Sequence, residues 1–74
     1  MRIGDVVKHK ENGELGTVHY SAFGFSIHTW DEERQILVKE SGENPKVLQE
    51  HWEVVDLPKG YEKMSYGGVR KVEG

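Results

Sequence analysis

Apolar and polar positions alternate along most of this chain, in short runs broken by glycine, asparagine and acidic clusters. The first run, Gly4-Asp5-Val6-Val7-Lys8-His9-Lys10, has the pattern of a short strand entered from a glycine turn, and Asn12-Gly13 closes it with a pair suited to a tight turn. Leu15 to Tyr20 reads as a second strand, and because Leu15 and Val18 cannot both follow strict alternation, a bulge is expected near Gly16. Ser21-Ala22-Phe23-Gly24 interrupts the pattern and Phe25 to Trp30 restores it as a third strand. Asp31-Glu32-Glu33-Arg34 is a polar hairpin turn, followed by a fourth strand over Gln35 to Lys39, rich in branched aliphatics. Ser41 to Pro45 is the clearest loop. Beyond it, a helical turn around Gln49 to Trp52 and a last short strand at Glu53 to Val55 are expected. Leu48, Trp52 and Val55 also have the spacing of one continuous helix, but the β-branched Val54-Val55 ending favours the strand.

Five short strands with a helical turn before the last describe an all-β domain, and particular residues carry a resemblance. Gly4-Asp5-x-Val7 followed by Gly13-x-x-Gly16-x-Val18 resembles the opening of KOW-type and related SH3-like barrels. Ile36-Leu37-Val38 and then Val47 to Val55 are similar to the closing half of such barrels, where a short helical turn leads into the final strand. The resemblance implies a five-stranded SH3-like barrel over residues 1–57, with residues 58–74 as a basic tail that is mobile or forms an edge hairpin around Gly67-Gly68. Two departures stand out: the basic loops of the KOW family are missing, and the tail is additional.

Composition narrows the function. Seventy-four residues, 35% hydrophobic and 31% charged, suit one small domain with a thin core. Without cysteine, neither disulfides nor a thiolate zinc site can staple it. The apolar runs are too short for a signal peptide or a membrane span, so a cytoplasmic location is expected. The net charge of −3 disfavours a phosphate-neutralising partner. Its distribution is uneven, because residues 31–57 hold three basic and eight acidic side chains while residues 58–74 hold four basic and two acidic.

Candidate chemistry is sparse. His9, His19, His28 and His51 form no His-x-His or His-x3-His pair, which points to structural histidines, with a pH-sensitive contact as the functional alternative. No Gly-x-Ser-x-Gly elbow, phosphate-cradling loop or dinucleotide fingerprint is present, so no catalytic residue, cofactor or metal is expected. The aromatics are the better lead: on one reading Trp30, Trp52 and Phe25 are core and only Tyr20 or Phe23 is exposed, while on the other Ala22-Phe23-Gly24-Phe25 sets two large apolar groups around a flexible glycine, which suits a contact loop.

These readings predict a non-catalytic protein-interaction module, with a contact surface made by Tyr20, Phe23 and Phe25 and by the acids Asp31, Glu32 and Glu33. A small acidic module of this kind resembles accessory proteins of bacteria and their phages, which implies a regulator or inhibitor docking on a larger host protein. The second expectation is a KOW-like nucleic-acid or ribonucleoprotein module, in which aromatics stack on bases and Lys8, Lys10, Arg70 and Lys71 meet phosphates. A third is an oligomer that encloses a small ligand between copies.

Overall fold

The computed structural model describes residues 1–22, 24–31, 33, 35–65 and 67–72, with residues 35–38 described by their backbone alone. The chain is all-β apart from one short helix. In order it forms β1 (Val6–His9), β2 (Leu15–Ser21), β3 (Gly24–Asp31), β4 (Gln35–Gly42), α1 (Pro45–Gln49), β5 (Trp52–Val54), β6 (Tyr61–Lys63) and β7 (Val69–Lys71). The first five strands make one curled antiparallel sheet in the order β4-β3-β2-β1-β5, and the last two make a separate hairpin. Among the described residues no helix is long and apolar enough to cross a membrane.

Directly paired residues in an antiparallel ladder share a face, so the register assigns the side chains. Val7 pairs with Gly16, and Val18 with Ile27, on the concave face. There Val7, Val18, Ile27, Leu48 and Trp52 form the core, with Met1 and Phe25 half-buried against it. Each fully buried aliphatic side chain contributes about 1.5–3 kcal/mol. Helix α1 closes this face from the side, and its single buried side chain is Leu48. Its start is set locally: Asn44 is extended, its side-chain oxygen accepts the Lys46 amide at 2.9 Å, and Pro45 occupies the first turn.

Several expectations are corrected. The helical turn lies over Pro45–Gln49 rather than Gln49 to Trp52, because the Asn-Pro pair read as loop is an N-cap followed by a helix-compatible proline. The fourth strand runs on to Gly42, through part of the segment read as loop. The pairing of β1 with β2 is regular through Gly16, so the bulge expected there is absent. Gly16 serves a close approach instead, since a Cβ there would lie 2.8 Å from the His28 carbonyl oxygen and 2.9 Å from Ile27 Cγ2. The irregularity sits between β3 and β4, where Ile27 pairs with Glu40 but His28 with Val38, leaving Lys39 as the extra residue.

The broken alternation of β2 has a second cause. The hairpin of β6 and β7 covers the convex face, so residues on both faces of the central strands lose solvent. Thr17 is 3% exposed, Ser26 2% and Val69 7%. The hairpin is anchored by the buried Gly68 amide, which donates to Thr17 Oγ1 at 2.7 Å, and by Lys63 Nζ, which donates to the Gly4 carbonyl at 2.9 Å. Gly68 has φ +85°, and a Cβ there would lie 2.5 Å from the Trp30 amide nitrogen. Trp30, read as a core residue, is therefore a half-buried floor for the hairpin on the opposite face.

Candidate functional site

Tyr20 and Phe25 are cross-strand partners beside the β2–β3 turn, packed edge to face with ring centroids 5.7 Å apart. Phe25 turns half its surface to the core, while Tyr20 is 67% exposed. Phe23, in the same turn, and Glu32 lie outside the described residues. Asp31 and Glu33 belong to the turn at the other end of β3, where Asp31 Oδ1 accepts the Glu33 amide at 2.8 Å. Five residues of strand lie between Phe25 and Asp31, six steps that span about 20 Å. The fold thus brings Tyr20 and Phe25 together and holds the acidic turn apart from them.

A second site was not legible from spacing. The curled sheet brings its two edge strands near each other, and Glu40 of β4 joins them through one carboxylate. Trp52 Nε1 donates to Glu40 Oε2 at 2.6 Å, and His51 Nδ1 lies 2.8 Å from Oε1. Glu40 raises the pKa of His51, first by this hydrogen bond and then by its charge. His9 completes the corner, edge-on to Trp52 at 4.8 Å and stacked toward His51 at 6.4 Å. Its Nδ1 accepts the Glu11 amide at 3.2 Å, which in the neutral ring places the proton on Nε2.

The bulge at Lys39 aims neighbouring side chains into this corner, where Lys39 Nζ meets Glu14 at 3.7 Å. Together His9, Asn12, Glu14, Lys39, Glu40, His51 and Trp52 line an open polar cleft of about 220 Å³. Chemically the corner holds one imidazole oriented by a carboxylate and one whose Nδ1 is taken by a backbone amide. The described lining residues include no hydroxyl or thiol nucleophile, and no group of three His, Asp or Glu among the described residues is placed to share a metal ion. The separation of Glu40 from His51, 11 residues across a loop and helix, hid the pair from motif reading. The only sequence signal was a carboxylate in a strand otherwise rich in aliphatics.

A third arrangement lies beneath the hairpin. His19 and His28 stack with centroids 4.0 Å apart on the convex face. Thr17 Oγ1 shares a 2.6 Å hydrogen bond with His19 Nε2, and Ser26 Oγ a 3.0 Å one with His28 Nε2. His28 Nδ1 is buried without a partner among the described residues. Burial, and then the neighbouring His28, lower the pKa of His19.

The basic side chains that would meet phosphates are dispersed or engaged. Lys10 Nζ donates to the Gln49 carbonyl at 2.7 Å, Arg70 pairs with Glu62 at 2.7 Å, and Lys8 and Lys71 are exposed on different elements. No family model matches the chain, and no curated protein or solved structure is significantly similar to it.

Proposed function

We propose that this chain is a non-catalytic protein-interaction module on an SH3-like barrel, docking on a larger protein through the aromatic end of its β2–β3 hairpin. The strand order β4-β3-β2-β1-β5, with a one-turn helix between β4 and β5, supports the barrel assignment. The observation that carries the functional reading is Tyr20, which stands 67% exposed on β2 with the Phe25 ring packed edge to face against it. An aromatic held this way presents apolar area and a hydroxyl with little rotamer entropy left to lose on binding. The contact centres on Tyr20, Phe23 and Phe25, and the Asp31 to Glu33 turn forms a separate acidic patch.

The test is affinity capture from lysate with wild-type and Tyr20→Ala chains, each with and without nuclease. One protein recovered near equal stoichiometry in both wild-type samples, and reduced at least about tenfold for Tyr20→Ala, is the expected result. Recovery that disappears with nuclease replaces this reading with nucleic-acid binding. Equal recovery by both chains moves the contact away from the aromatic end.

A further inference from the structure

The convex face holds a group of features that the interaction surface does not use. The hairpin strands β6 and β7 pair with each other and join no ladder of the five-stranded sheet. In the turn that joins them, Gly67 lies over the histidine stack: a Cβ on it would sit 2.8 Å from His19 Nε2 and 3.1 Å from His28 Cβ. Gly67 and Gly68 are both buried there. The hairpin therefore partly covers two imidazoles, and the Nδ1 of His28 is buried with no partner among the described residues.

We propose that the stacked histidines are an acid-operated latch: protonation of His19 against His28 releases the C-terminal hairpin and uncovers the face that carries Val6, Thr17 and Ser26. Neutral rings suit the partly covered site, because each offers a nitrogen to a single hydroxyl. A proton on His19 places a cation 4.0 Å from a second imidazole and makes both of its nitrogens donors, each of which then needs an acceptor. Should the proton move to His28, its buried Nδ1 becomes a charged donor with no acceptor. Opening the hairpin lets water solvate the charge, and the lowered pKa of His19 has the sign this linkage requires.

The surrounding charges leave the rings uncompensated. On the sheet, Lys8 of β1 is exposed, Ser26 and Trp30 are the neighbours of His28 along β3, and the residue opposite His28 on β4 is Val38. On the hairpin, Glu62 is paired with Arg70, Lys63 is bound to the Gly4 carbonyl and Lys71 is exposed. Among the described residues no carboxylate stands within ion-pair distance of either ring.

The wild-type chain, nitrogen-15 labelled, is titrated from about pH 8 to about pH 4.5, across the range where histidines change charge. The His19 ring shifts and the exchange protection of the Gly68 amide are followed together. His19 is expected to titrate below 6.5. Gly68 protection, corrected for intrinsic exchange, is expected to fall with the same midpoint, by about tenfold for each unit by which docking lowers the His19 pKa. The Val18 amide, bonded to the Asp5 carbonyl at 3.0 Å within the main sheet, is expected to stay protected. In His19→Gln the release near that midpoint is expected to vanish. Gly68 protection that persists through the wild-type titration, simultaneous loss at Val18 and Gly68, or an unchanged midpoint in His19→Gln overturns the latch. The wild-type titration decides whatever the stability of the variant.

Discussion

At the scale of single residues, Glu40 ties the two edges of the curled sheet together. Its two oxygens are divided between a half-buried indole N–H and an imidazole, and both of those donors belong to the segment that forms the opposite edge of the sheet. A carboxylate hydrogen bond to a sheltered donor is worth more than a neutral one, and its loss leaves the donor unpaired. Glu40→Ala is therefore expected to lower stability by about 1–3 kcal/mol in urea denaturation, with His51 returning toward the ordinary histidine pKa in the same chain. Unchanged stability would show that water takes over at Trp52 Nε1 without loss. No motif announced this role, because the partners of Glu40 are brought to it by a bulge and a helix rather than by spacing.

At the scale of elements, the strands were largely legible because each carries its own local evidence. Val6-Val7, Val18, Phe25-x-Ile27 and Ile36 to Val38 are β-favouring clusters, and the turns between them are marked by Asn-Gly, Gly24 and acidic residues. The helix was displaced by a few residues because Asn44-Pro45 serves equally as loop punctuation and as a helix start, and only the Asn44 to Lys46 hydrogen bond decides between them. The bulge was misplaced for a different reason. A glycine in a strand signals crowding as readily as irregularity, and at Gly16 the crowding comes from β3, a neighbour that alternation along β2 does not reveal. The histidine stack was hidden in the same way: His19 and His28 meet only through the register of β2 with β3, in which Thr17 faces His28 and His19 faces Ser26.

At the scale of the whole molecule, two histidines in different environments shape stability against pH in opposite senses. His51 has a raised pKa, so its contribution is complete below 6.5 and is lost as pH rises through the raised value. His19 has a lowered pKa, so its contribution is complete above 6.5 and is lost as pH falls through the lowered value. Together they predict a maximum of stability near pH 6.5, read as the highest urea midpoint in a pH series. Glu40→Gln flattens the alkaline side of that maximum and His19→Gln the acidic side. A series that rises or falls monotonically between about pH 5.5 and 8 excludes the pairing of these two effects.

The bond from Gly68 to Thr17 also orders the events of folding. It joins residues 51 apart in the chain, whereas the Glu40 to Trp52 contact joins residues 12 apart. The β1–β2, β2–β3 and β3–β4 pairings close over neighbours in sequence, whereas the β1–β5 pairing and the docking of the hairpin both close long loops. The β1 to β4 meander is therefore expected to form ahead of the β5 pairing and of the hairpin docking. Thr17→Val, which removes the acceptor for Gly68, is then expected to quicken unfolding while leaving the refolding rate within about twofold, as stopped-flow denaturant kinetics would record. A refolding rate slowed in proportion to the lost stability would place the hairpin in the transition state instead. A chain whose hairpin has yet to dock and the chain that the acid latch opens would share one uncovered convex face, approached from opposite directions.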